Sequence, residues 1–346
     1  MKAYILESPK NIKIFERKIP DIEDYKILIK VKNIGLCGSD IQFYKGTYSG
    51  PSKYPILFGH EWSGIVEKIG KSVTKVKPGD KVTGDCSKYC GECKLCGVDR
   101  NLCSNIEKYG ITIDGASSEY IIREEKYIYK APDDLELDLI CLTEPISVAN
   151  HIIKRIKRYR HDIHEEKILI CGGGTLGISS LLLLKNLYEC RNVYLFDIVD
   201  ERLELAEELG ANILSKNPFL SNYDSSSYDS IYSSSNYDVI IECTGNPKVF
   251  SEICKIISPL GTIGCLGMMQ EVTILQKLMV IKGLTMIGSI GGTGEFPEVL
   301  DFIKNNKKYV KKLISHKINI SEINKAFKIA QDVSKSIKVE IVLDKE

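Results

Sequence analysis

Charge of one sign, long apolar runs and internal repeats are all lacking, and each absence closes off a class of function. The 346 residues carry 47 basic and 46 acidic side chains, a formal charge of +1. A broad nucleic-acid or anionic-membrane surface needs a net basic face instead. The longest apolar run, 178–184, is broken by Ser179 and Ser180 and stops at Lys185, far short of the ~20 residues of a membrane span. Glu7 and Pro9 cut short any secretory-leader core. No repeat at solenoid spacing is visible. A chain that is 43% hydrophobic and 27% charged can still bury large cores, which excludes wholesale disorder. Its length calls for two domains or one large α/β unit. The expected setting is cytoplasmic, with neither nucleic acid nor membrane as partner.

The texture of the sequence changes once along its length. Residues 12–16, 26–31 and 64–70 are short β-type apolar runs, and Pro78-Gly79-Asp80 is a turn before Lys81-Val82. This predicts an antiparallel, barrel-like β domain with long loops. From Glu144 onward, helical and strand patterns alternate: a helix over 146–158, a strand over 167–171, a helix over 178–187, a strand over 193–196, a helix over 201–209, and strands over 238–242 and 261–266. Such alternation predicts a parallel, doubly wound sheet. The Ser/Tyr/Asn/Asp-rich stretch 221–237 reads as a solvated surface loop. Two helices, 296–305 and 321–332, and a strand, 337–343, complete the chain.

Twelve cysteines in a reducing compartment lean towards metal rather than disulfides. Cys90, Cys93, Cys96 and Cys103 fall in one short loop, two C-x2-C steps sharing Cys93. Four thiolates suit tetrahedral Zn²⁺ at ~2.3 Å with no position left for substrate, hence a structural site. An iron–sulfur site and unliganded thiols are the competing readings. A second candidate joins Cys37, His60 and Glu61, on two glycine-flanked loops of the β domain, with Glu144 before Pro145. Thiolate, imidazole and carboxylates would make an open, catalytic zinc site. The spacing alone leaves that reading level with ordinary buried side chains.

Gly172-Gly173-Gly174-Thr175-Leu176-Gly177 fits G-x-G-x-x-G between a strand and a helix. Gly172 permits the tight turn, Gly174 lets a pyrophosphate approach the backbone, and Gly177 lets helix and strand pack closely. Asp197, ending the next strand, can accept ribose hydroxyls and repel a 2′-phosphate, which favours NAD over NADP. Arg202 can flank an adenine or pair with Glu201.

Taken in order, several segments are similar to the zinc-dependent medium-chain dehydrogenases, most of all to their sorbitol, threonine and galactitol-phosphate dehydrogenase branch. They are Gly-Leu-Cys-Gly-Ser-Asp (35–40), Gly-His-Glu-Trp-Ser-Gly (59–64), Lys-Pro-Gly-Asp-Lys-Val (77–82), the four-cysteine lobe, Glu-Pro-Ile-Ser-Val (144–148), the glycine loop, Asp197, Glu-Cys-Thr-Gly (242–245) and 283–289. The resemblance spans nearly the whole chain. It implies a GroES-like β-barrel catalytic domain (1–149 and 291–346, with the zinc lobe at 86–104) and a Rossmann NAD-binding domain (150–290). It implies two zincs per subunit. Cys37, His60, Glu61 and Glu144 match the family's catalytic zinc site, and Cys90, Cys93, Cys96 and Cys103 its structural one. Asp40 matches the carboxylate that orients the histidine, and Ser39 the hydroxyl that touches the substrate alcohol. Gly172, Gly174, Thr175, Leu176, Gly177, Asp197, Arg202, Cys243, Thr244, Leu266 and Ser289 match the cofactor site. A homodimer or homotetramer is expected.

Two departures stand out. Many relatives carry a proton-relay histidine where this chain has Gln42, and the Cys96-to-Cys103 gap is one residue shorter than the family's. The implied reaction is oxidation of a secondary alcohol of a polyol or polyol phosphate to a ketone, with a small-molecule alcohol as substrate. Trp62 and the 115–120 segment also resemble amino-cyclitol (2-deoxy-scyllo-inosamine-like) dehydrogenases, where Asn150 would be a candidate to reach the amine. L-Threonine 3-dehydrogenation is a further alternative. A catalytically inactive NAD-binding sensor or scaffold is the alternative of a different class, disfavoured by the intact Cys37, His60, Glu61 and Glu144. A zinc-free quinone reductase is disfavoured by both metal sites.

Overall fold

The computed structural model describes residues 1–214, 217–220, 225–233 and 235–343. The chain divides into two units, Met1–Ser147 with Gly291–Glu346, and Val148–Ile290.

The first unit is built on an antiparallel sheet whose central strand, Lys26–Leu36, pairs with Glu61–Ile69, Tyr120–Glu124 and Lys338–Val342. That strand runs five residues beyond the apolar run that signals it. Two register shifts, between Leu28 and Ile29 and between Val31 and Asn33, carry its pairing on to Gly35 opposite Glu61. Ile314–Asn319 lies parallel to the last strand; its weak burial alternation, ieieBi, explains why it is illegible in the sequence. A core of Phe43, Phe58, Trp62 and Phe327 fills the interior. Tyr44 stacks on Phe327 at 4.3 Å between centroids. The expected β domain is therefore present. The cysteine lobe is carried by a two-stranded ribbon, Ser87–Lys88 against Glu107–Lys108.

The second unit is the doubly wound sheet the alternation predicts. Its six strands are all parallel, in the spatial order Asn212–Ile213, Asn192–Phe196, Lys167–Cys171, Tyr237–Glu242, Ile257–Cys265, Thr285–Gly288. The order reverses between Lys167–Cys171 and Tyr237–Glu242, the point where such sheets bind ligands. The helix expected over 146–158 begins earlier, at Thr143, and ends at Lys157. Pro145 sits in its first turn, where a missing N–H costs nothing. The stretch 221–237 is not all loop. Residues 221–224 and 234 lie outside the described residues, but Tyr228–Ser233 is a short helix. Ser227 Oγ accepts from the Ser230 N–H at 3.0 Å, and Ile231 is buried.

Candidate metal and dinucleotide sites

Three strand ends meet at the first site. Because Lys26–Leu36 and Glu61–Ile69 are antiparallel with Gly35 facing Glu61, Cys37 leaves one strand beside the point where His60 enters the other. The last strand adds its own start, Val339 facing Leu36. Cys37 precedes the helix Gly38–Lys45, and Asp40 in its first turn locks both loops. One Asp40 oxygen accepts from the Cys37 N–H at 2.9 Å and the other from the Gly59 N–H at 3.2 Å. The donor atoms of Cys37, His60 and Glu61 lie within 4.8 Å of one another. His60 is 6% exposed, and its Nδ1 has no hydrogen-bond partner among the described residues but stands 3.8 Å from Asp40 Oδ1.

Burial alone would make His60 hard to protonate. Asp40, Cys37 and Glu144 outweigh it, holding the imidazole well above its ordinary range. Burial raises Asp40 in turn, against the opposing pull of His60. A pocket that concentrates a thiol, an imidazole and a carboxylate, all hungry for positive charge, has the chemistry of a divalent-cation site with sulfur, nitrogen and oxygen donors.

Glu144 stands outside that tight group. It is buried in the first turn of Thr143–Lys157, hydrogen-bonded to the Cys86 thiol, and close enough to feel His60 and Glu61; burial, then Glu61, push its carboxyl up. Ser39 lies in the first turn after Cys37, half-buried, and Gln42 is exposed. Asn150 is fully buried, its side-chain oxygen accepting from Tyr188 at 2.7 Å.

In the lobe, Cys90, Cys93, Cys96 and Cys103 form a second group within 4.8 Å. Sulfur separations are 3.9 Å (Cys90–Cys96), 4.0 Å (Cys93–Cys103) and 3.5 Å (Cys90–Cys103). A tetrahedron with ~2.3 Å bonds has edges of about 3.8 Å. The shortened Cys96-to-Cys103 gap still lets all four sulfurs converge. Backbone N–H groups of Ser104 and Cys96 pull the Cys93 thiol down to about 6, favouring the thiolate a metal needs. Asp99 caps the short turn Arg100–Leu102.

The glycine loop has the predicted mechanics. Gly172 sits at φ 100°. A Cβ on Gly177 would overlap the Gly172 carbonyl, while one on Gly174 would meet only the far end of the Arg202 side chain, at 3.8 Å. Gly174 precedes the helix that Thr175 and Leu176 open, Thr175–Asn186. Asp197 accepts from the N–H of Gly173 (2.6 Å), Ile198 (2.7 Å) and Val199 (3.0 Å), so it organises the turn as well as facing it. Arg202 pairs with Asp197 at 3.4 Å. Across the reversal point the Cys243 N–H donates to Cys171 O, and Thr244 and Gly245 gather on the Glu242 carboxylate. The backbone N–H of Leu266 and of Ser289 donate to Glu242 O and Cys265 O, which places both at strand ends on that side.

Buried residues that the sequence does not single out include Lys338, Asp85 and Cys86. The last strand reads Lys-Val-Glu-Ile-Val, and two charges on one face of a short strand were the available signal for Lys338.

Residues 23–133 match the family described as alcohol dehydrogenase GroES-like domain, and 137–342 match the glucose dehydrogenase C-terminus. A zinc-type alcohol dehydrogenase-like protein of Haemophilus influenzae is 32% identical over 328 residues, 93% of each chain. An L-idonate 5-dehydrogenase of Vitis vinifera is 27% identical over 349 residues, 98% of this chain and 93% of its own. An alcohol dehydrogenase of Escherichia coli, solved with NADH, superposes with a TM-score of 0.86 at 27% identity, covering 99% of both chains.

Proposed function

The chain belongs to the zinc-type alcohol dehydrogenases, and from that premise we propose that it oxidises a secondary alcohol of a polyol or polyol phosphate to a ketone, with NAD as hydride acceptor. The carrying observation is the convergence of Cys37, His60 and Glu61 donor atoms within 4.8 Å. When bound there, zinc supplies positive charge that makes an alcohol proton easier to lose, and nicotinamide supplies the hydride acceptor. Cys37 and Glu61 moderate that charge. Asp40 fixes the His60 ring, and Ser39 is the hydroxyl that accepts the substrate's hydrogen bond and, as it takes that proton, releases its own to solvent water. Glu144, hydrogen-bonded to Cys86 and outside the tight group of Cys37, His60 and Glu61, would leave a bound metal three protein donors and room for the alcohol.

The lobe cysteines hold a second, structural zinc. Gly172, Gly174, Thr175, Leu176 and Gly177 cradle the pyrophosphate, while Cys243, Thr244, Leu266 and Ser289 border the nicotinamide. Asp197 favours NAD, since a 2′-phosphate would meet its carboxylate; Arg202 already spends its charge on that carboxylate. The polyol class is supported by the L-idonate dehydrogenase relative, whose named substrate is polyhydroxylated. No helix among the described residues is long and apolar enough to cross a membrane.

Zinc-loaded protein offered polyols, polyol phosphates, amino-cyclitols and L-threonine with NAD or NADP tests this directly. Reduction of NAD by a polyol or its phosphate, at a kcat/KM at least ~10-fold above that with NADP, is expected. Turnover confined to amino-cyclitols or threonine would move the substrate class, and silence with all of them would sink it.

A further inference from the structure

Lys338 is among the largest fully buried side chains, 2% exposed, and lies eight residues from the end of the chain. Its ammonium donates to both oxygens of Glu61, at 2.8 and 2.6 Å, and to the Leu36 carbonyl at 3.2 Å. Those three bonds use every donor the group has. A cation is buried this deeply only against a matched anion, and the sheet provides the match. The first residues of the last strand run beside Leu36 and Gly35, and Gly35 faces Glu61 across the next pair. A side chain on Gly35 would overlap the Glu61 carboxylate, so the backbone is pared back for this ion pair.

The pairing bears on the metal because Glu61 is also one of the three converging donors. A carboxylate has about four acceptor sites, and Lys338 occupies one on each oxygen. With Cys37 as thiolate and Glu61 ionised, the donor set carries two negative charges, of which Lys338 offsets one. We propose that Lys338 is a positioning residue that tethers the Glu61 carboxylate and limits its bonding to the zinc at Cys37 and His60, keeping a coordination position exchangeable for the alcohol. This rests on the zinc-dehydrogenase reading above. Without the tether, Glu61 is a buried anion whose best remaining partner is the metal. It should then bind permanently, hold zinc more tightly and leave it a weaker acid.

The test is Lys338→Met in the full-length, metal-loaded protein, read by zinc loss to a chelator, by the visible spectrum of the cobalt-substituted form, and by kcat and KM. Expected are zinc loss slowed ~10-fold or more, a changed cobalt spectrum, and kcat lowered more than KM. Lys338→Arg should stay near wild type. In a Glu61→Gln background, Lys338→Met should add nothing further. Lys338→Gln, which keeps a donor of similar reach without the charge, carries the same test should the Met variant not fold. Zinc loss and cobalt spectrum indistinguishable from wild type, or an equal effect with and without Glu61, would overturn the proposal while leaving the zinc reading intact. Wild-type protein that binds no zinc at Cys37 would overturn both.

Discussion

Asp40 and Asp85 show how the same side chain is put to two uses by its surroundings. Asp40 spends its oxygens on the backbone of the two loops that carry Cys37 and His60 and leans on His60, so its charge is employed. Asp85 is buried with a Tyr129 hydroxyl at 3.1 Å, and burial lifts its carboxyl to about 7, opposed by the Tyr129 and Thr293 hydroxyls. An acid that titrates higher in the fold than in the unfolded chain gives its proton up later when folded. Its contribution to stability is therefore present at low pH and lost as pH rises from about 4 to about 7. Asp85→Asn should remove that slope. Thermal or denaturant melts should show it more stable than wild type at pH 8, on the order of 2 kcal/mol, with a smaller difference near pH 5. A variant equally destabilised at both pH values would mean the carboxylate is used as an anion.

At the scale of elements, the open edge is the feature with a consequence. Thr285–Gly288 is the last strand of the parallel sheet and, among the described residues, pairs on one side only. The helix before it, Gln276–Lys282, leaves Val280 69% exposed. Unpaired edges beside apolar side chains invite a second copy, so light scattering should return the mass of two or four chains. A single chain at micromolar concentration would contradict that.

Legibility followed sequence distance. The glycine loop, the four-cysteine lobe and the Cys37 and His60 loops are local patterns, each readable because one short segment carries its own geometry. Glu61 was readable beside His60, but its partner Lys338 is 277 residues away, and only the register of three strands brings them together. The strand Ile314–Asn319 was missed for want of alternation, and the helix Tyr228–Ser233 because its serines masked a single buried isoleucine. The Glu144–Cys86 contact needed the fold, since nothing in either segment names the other.

For the molecule as a whole, the candidate metal donors lie in the first unit and the glycine loop in the second. The metal is the claim on which the rest depends. Zinc content and NAD-linked turnover of wild type beside Cys37→Ser, on one polyol substrate, test it most directly. Two zincs per wild-type chain should fall to one, retained by the lobe, with turnover lost by ~1,000-fold or more and NAD binding preserved. A Cys37→Ser protein with two zincs and near-wild-type turnover would contradict the account.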